Sequence, residues 1–210
     1  MSEPTERRLI LAAERLFAER GVDAVSLRAV MAAAGTNVAS VHYHFGSKAA
    51  LVEAVIKERS GRVSARRNEI LDEITSSREL TARRLAEAFV YPVVETVNSG
   101  GTAWVTFIAG ILASGHPALS LVTGGFVHQG RRFTTLLSQI YPGVSARTIR
   151  FRLAQAMSLT FQVLGDLDGV QGIMAFSGAK LTADEVFEEL VDVVTAILAG
   201  PPLDPAAQEG

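Results

Sequence analysis

Between Gly35 and Lys48 the chain reads GTNVASVHYHFGSK, a stretch that gathers Asn37, Ser40, His42, Tyr43, His44 and Lys48 directly behind the apolar run Val30–Ala34. Short donors and flat rings in this density suit hydrogen bonds to phosphate oxygens and base edges, and contacts with sugars and thymine methyls. Lys48 adds a second signal. A cation in the first turn of a helix opposes the macrodipole, by about 0.3–1 kcal/mol. Helix N-termini attract phosphate, so a lysine there makes sense beside a phosphate. His42 is expected to face DNA, and His44 either to cap a helix end or to reach phosphate. The two stand two residues apart and point to different sides of a helix, so they do not form a metal pair.

Catalytic signatures do not accompany these residues. There is no cysteine, no Gly-rich phosphate loop, no paired His-Glu helix motif and no nucleophile elbow. Asp166 and Asp168 in GDLDGVQG lack the terminal Glu and ligand spacing of a calcium loop. The reading is therefore not an enzyme, with no cofactor and no metal.

The elements that must position the polar stretch are helical. Leu9, Ala13, Leu16 and Phe17 form one apolar stripe, and Gly21 suits its stop. A short helix is expected from its N-cap Ser26 to Ala34, with Gly35 as the turn and a third helix from Asn37 to Tyr43. In that third helix Val38 and Val41 pack inward, leaving Asn37, Ala39, Ser40 and Tyr43 toward the duplex. Two short helices joined by a tight Gly turn make a helix-turn-helix, whose second helix enters the major groove. Ser47 caps a long helix from Lys48. Further helices are expected over 79–98, kinked at Pro92, over 103–114, over 119–141 with a break at Gly124-Gly125, and over 145–165. GDLDGVQG is expected to be a loop. Thr182 and Glu185 form a capping box for a last helix that ends at Gly200.

Charge separates the two ends. Residues 1–67 hold 11 Lys/Arg and 7 Asp/Glu, a net of +4, whereas residues 68–210 hold 9 and 15, a net of −6. This suits a polyanion partner at the front. No apolar run reaches the ~18 residues of a membrane span, and acidic residues intersperse the start as they do not in a signal peptide. A cytoplasmic protein with no membrane partner is expected.

The segment LILAAERLFAERGVDAVSLRAVMAAAGTNVASVHYHFGSKAALVEAV resembles the DNA-binding domain of TetR-type transcriptional repressors. The resemblance rests on the first-helix pattern and its Gly stop, the alanine-rich second helix with its Gly turn, and an aromatic-His-Phe step followed by Ser-Lys-x-x-Leu. It implies an all-α homodimer. An N-terminal three-helix helix-turn-helix domain would bind a palindromic double-stranded DNA operator. A larger C-terminal helical domain would bind an effector that releases the DNA. Lys48 then corresponds to the phosphate-binding lysine, Tyr43 and His44 to the aromatic-His step, and Phe45 to a buried anchor. His42 departs from the tyrosine common in the family, and imidazole is shorter. Ser26, Arg28 and Thr36 complete the expected DNA-contacting set of Asn37, Ala39, Ser40, His42, Tyr43, His44 and Lys48. The HYHFGSK stretch also resembles the subset that answers to fatty-acyl or other apolar ligands.

The domains expected on this basis are residues 1–47 for DNA, residues 48–200 for effector and dimer with 48–75 as connecting helix, and a tail at 201–210. The effector is expected to be an apolar small molecule. Its pocket is assigned to Phe89, Val93, Trp104, Phe107, Ile108, Ile111, Phe126, His128, Gln129, Phe133, Leu137, Phe161 and Gln162. The dimer interface is assigned to Leu153, Met157, Phe161, Val186, Leu190, Val193, Val194 and Ile197, a stripe wider than a lone chain comfortably exposes. The rival readings are a regulator of the same fold governed by a protein partner, and a structural helical dimer with a vestigial head.

Overall fold

The computed structural model describes residues 4–36 and 44–201, and among these residues every regular element is helical. The expected helix 37–43, with its core positions Val38 and Val41, lies outside the described residues, as does most of the tail.

The helices start where side chains can satisfy their first N–H groups. Helix α1 spans Thr5–Arg20 and α2 spans Leu27–Ala34, where the Ser26 hydroxyl accepts from the Ala29 N–H. Gly35 ends α2 in the left-handed region at φ 62°, and Arg8 of α1 donates to the Ala34 and Gly35 carbonyls there. Arg8 thus clamps the turn of the helix pair at its unsatisfied carbonyl end. Helix α3, Lys48–Ser77, opens with Ser47 capping the Ala50 N–H. Helix α4 spans Ala82–Thr96 and α5 spans Thr102–Ser114, with a π-type turn over Val97–Gly101 between them. Then follow α6 over Leu119–Ile140, α7 over Ala146–Gly165, α8 over Leu167–Phe176 and α9 over Ala183–Ala199.

Three expectations are corrected. The chain runs helically through Pro92 and bends instead at Ser99 and Gly100, which leave helical φ/ψ. Burial of Pro92 and its neighbours Phe89, Val90, Val93 and Val94 holds the turn around the missing N–H. Helix α6 passes Gly124-Gly125 unbroken: both glycines are exposed, and a cost of about 1 kcal/mol each does not interrupt a 22-residue helix anchored by Gln129, Phe133 and Leu137. GDLDGVQG forms the start of α8 rather than a loop, because Asp166 accepts from the Gly169 N–H and caps it.

One apolar core runs from Leu9 to Leu198. The head is seated on the body by α1, which lies against α3 and α5. There the rings of Phe17 and Phe107 meet at 5.6 Å, and Glu14 accepts from Arg59 of α3 at 3.3 Å with both side chains largely buried. Helix α9 packs on α4 and α7 of its own chain. Arg83 of α4 pairs with Asp192 and Glu188 of α9, and the Tyr91 hydroxyl donates to Glu188 at 3.1 Å. No single helix among the described residues is long and apolar enough to cross a membrane.

Candidate nucleic-acid interface and effector cavity

The head presents the flanks of the expected DNA-reading segment. Ser26 and Arg28 are exposed on the first turn of α2. The Ser26 hydroxyl is already engaged as the α2 cap. Thr36 is half-buried, and its N–H bonds to the Met31 carbonyl at 3.0 Å. His44 is exposed, and Phe45 packs half-buried against the core beside it. Asn37, Ala39, Ser40, His42 and Tyr43 lie outside the described residues. Lys48 stands in the first turn of α3, as the sequence requires, and its ammonium donates to the backbone carbonyl of Asp23 at 3.3 Å. That carbonyl belongs to the α1–α2 turn, so Lys48 ties α3 to the head. His116, in the α5–α6 turn, approaches the Asp23 carboxylate at 3.6 Å from the body side.

A cavity of about 300 Å³ opens between α3, α4, α5, α6 and α7. It has the low-end volume of small-molecule sites, about 300–1,000 Å³. Trp104, Ile108, Phe126, Phe161, Phe89 and Met157 supply its apolar surface. The Trp104 indole N–H donates to the Val55 and Ile56 carbonyls of α3 at 3.0 and 3.3 Å, and its ring meets Phe161 edge-on at 5.9 Å. These bonds fix the indole against the bottom of the connecting helix. Ser60, Gly61, Glu53 and Lys57 border the cavity along α3, with Lys57 paired to Glu53 at 2.6 Å.

Of the residues expected in the pocket, Phe89, Trp104, Ile108, Phe126, Gln129 and Phe161 line this cavity. The others do not. Phe107 is consumed by the head–body joint with Phe17. Phe133 packs behind the lining, its ring 5.3 Å from that of Phe89. Val93, Ile111 and Leu137 are buried core. His128 and Gln162 are exposed on the outer faces of α6 and α7. The reason is angular: each of these residues lies on a face of its helix turned away from the lining, and the sequence cannot say which buried face meets the void.

The dimer stripe is corrected in the same way. Leu153, Phe161, Val186, Leu190 and Val194 are buried within the single chain, and Met157 borders the cavity. Val193, at 47% exposure, and the half-buried Ile197 remain available. The uncovered face of α7 instead carries Phe151, 65% exposed, with Ala154, Gln155 and Ser158.

The residue that sequence reading missed is Arg67. It is 5% exposed in the wall of the cavity. Its Nη2 donates to the Phe89 carbonyl at 3.1 Å, and its guanidinium lies 5.1 Å from the Phe89 ring centre and 5.5 Å from that of Phe126. Burial pushes its pKa down to about 10, so it remains charged at neutral pH. A helical count could have found it: Val63, Arg67, Ile70, Leu71 and Ile74 share the buried side of α3.

A head of α1 and the short α2, seated on a larger helical body with an open apolar cavity, suits a helix-turn-helix regulator. The model for "Bacterial regulatory proteins, tetR family" matches residues 9–55, and that for "Tetracyclin repressor-like, C-terminal domain" matches residues 87–196. The chain therefore belongs to the TetR family of transcriptional regulators, whose members bind DNA operators and are typically dimeric. It is 28% identical over 199 residues to the HTH-type transcriptional regulator UidR of Escherichia coli K12, covering 87% of this chain and 95% of UidR. It is 25% identical over 200 residues to the HTH-type transcriptional repressor KstR2 of Rhodococcus jostii, covering 90% and 88%. The solved structure of the ketosteroid transcriptional regulator KstR2 of Mycobacterium tuberculosis shares the fold at a TM-score of 0.61 and 20% identity, over 93% of this chain and 95% of that one.

Proposed function

We propose that this protein is a homodimeric repressor that binds a palindromic operator through residues 26–48 and is released by an apolar small molecule in the cavity. The observation that carries the ligand-responsive reading is the cavity itself, with its apolar wall set against the connecting helix α3. Occupancy there reaches the head by a short route. Leu121 of α6 borders both this cavity and a second cleft lined by Val22, Asp23 and Lys48 of the head and His116 of the α5–α6 turn. A ligand that displaces α6 therefore acts on the turn that holds Asp23 and, through it, Lys48. Release follows only if the ligand prefers the conformation that does not fit DNA.

In this reading DNA draws the Lys48 ammonium from the Asp23 carbonyl to a phosphate. The outer faces of α7 and α9, around Phe151, Ala154 and Val193, form the dimer contact. Domain limits at residues 47 and 200 fit this division of labour.

The test is selection of bound fragments from genomic DNA by the full chain, followed by fluorescence anisotropy across salt concentrations. The expected result is an inverted repeat, bound with strong salt dependence. Lys48→Ala should weaken binding uniformly across sequences and lower the salt slope by about one. A dimer without salt-sensitive attraction to any duplex overturns the operator reading. Operator binding that no apolar compound relieves overturns the effector reading and favours control by a protein partner.

A further inference from the structure

Two polar atoms in the cavity wall stand out against its apolar lining. The Arg67 Nε–H and the Gln129 Oε1 are fully buried and, among the described residues, have no hydrogen-bond partner. Gln129 is 4% exposed, and its amide nitrogen is committed to the Ser64 carbonyl at 3.3 Å, which fixes which end of the amide is left open. Native interiors rarely leave such atoms unpaired without a role. Arg67 is the more telling of the two. Among the described residues its guanidinium has aromatic rings and one carbonyl for neighbours but no carboxylate in ion-pair range. The rings of Phe89 and Phe126 lie beside the cation at 5.1 and 5.5 Å, and a guanidinium so placed has N–H donors left over.

We infer that the cavity is built for an apolar monocarboxylic acid, whose carboxylate is received by the edge of Arg67 and whose carbon body lies against Trp104, Ile108 and Phe161. The inference rests on the effector reading above and names the chemistry of that ligand. Charge count sets the class. Lys57 and Glu53 neutralise each other, so the lining carries one net positive charge, from Arg67. A carboxylate cancels it, whereas a phosphate monoester at −1.5 to −2 leaves excess charge in an apolar site. Geometry also selects arginine's planar fork, which meets a carboxylate with two parallel N–H bonds.

The experiment uses the full chain at pH 7.5 and the single tryptophan, Trp104, as reporter. Octanoate and 4-phenylbutanoate are titrated beside 1-octanol, 4-phenyl-1-butanol and octyl phosphate, by fluorescence quenching and by calorimetry. Each acid is expected to bind at least about tenfold tighter than its alcohol, the scale of a hydrogen bond to a charged group. Octyl phosphate is expected to bind more weakly than octanoate. Arg67→Met should abolish the acid preference while moving alcohol affinity less than threefold, and Arg67→Lys should keep part of it. The acid-to-alcohol ratio of the unmodified chain decides the question even if a variant fails to fold. Alcohols that bind as tightly as acids overturn the inference and leave the effector reading standing. Tighter binding of octyl phosphate overturns the monocarboxylate assignment. Binding of neither series, with operator binding intact, overturns the inference and the effector reading together.

Discussion

Replacing Arg67 by methionine should cost the fold roughly 2–4 kcal/mol. The side chain is 5% exposed and charged, and burial lowers its pKa to about 10. A fall of that size from the ordinary arginine value corresponds to roughly 3 kcal/mol of unfavourable charge burial, at about 1.4 kcal/mol per tenfold change in proton affinity. Methionine removes that penalty and retains most of the aliphatic stem. Lost in exchange are two desolvated cation–π contacts, about 2 kcal/mol each, and a charge-assisted hydrogen bond to the Phe89 carbonyl worth about 1.5–3 kcal/mol. The net lies at roughly 2–4 kcal/mol of destabilisation, or about 4–16 °C in Tm for a chain of this length. The pH dependence has a definite sign. The folded state holds the Arg67 proton less tightly than the unfolded chain, so above about pH 10 the unfolded state binds more protons. Stability contributed by this group therefore rises with pH there, and the parent gains relative to Arg67→Met. Thermal unfolding by circular dichroism, at matched protomer concentration and without ligand, is the assay. A gain in stability on Arg67→Met would show that the contacts of the cation do not offset the cost of burying it.

Other expectations are simpler. Glu14→Leu strands Arg59 at the head–body seam and should cost about 3 kcal/mol, while Glu14→Leu combined with Arg59→Met recovers most of it in denaturant titrations. Equal losses in the single and double variants would deny the pair its role. Thr182→Ala removes the α9 cap and should lower Tm by about 2–4 °C. The backbone N–H of Thr182, and then its hydroxyl, hold the Glu185 carboxyl below the usual Glu range. That stabilisation is present above the ordinary Glu pKa and lost as pH falls below it, so the Thr182→Ala difference should shrink in acid; a difference that grows there refutes the assignment. Leu121→Ala should lower the ratio of ligand affinities for free and operator-bound protein, an interaction of about 0.5–2 kcal/mol read separately from any change in ligand affinity itself. An unchanged ratio in that variant would place the coupling elsewhere.

The amino-acid order by itself determined the local structure wherever a short-range device specifies it. Ser26, Ser47, Ser145 and Thr182 each cap the helix that follows, and Gly35 takes the left-handed turn that ends α2. These devices act within four residues, so spacing alone reveals them, as it reveals the family pattern across residues 9–55. The same local view failed at Pro92, where burial outweighs propensity, at the exposed Gly124-Gly125, which a 22-residue helix carries through, and at Asp166, whose cap turned an apparent loop into α8. Only the tertiary structure decided which apolar face meets which neighbour. Leu190 and Val194 look free on a helical wheel and are covered by α4 and α7 of the same chain, while Phe133 and Phe107 look like pocket walls and serve as packing. Arg67 looks like one more charge in an amphipathic helix until the fold buries it beside two phenylalanine rings. A helix repeats its own faces every few residues, but the position of a void depends on how five helices from distant parts of the chain converge, and no short stretch of sequence holds that information.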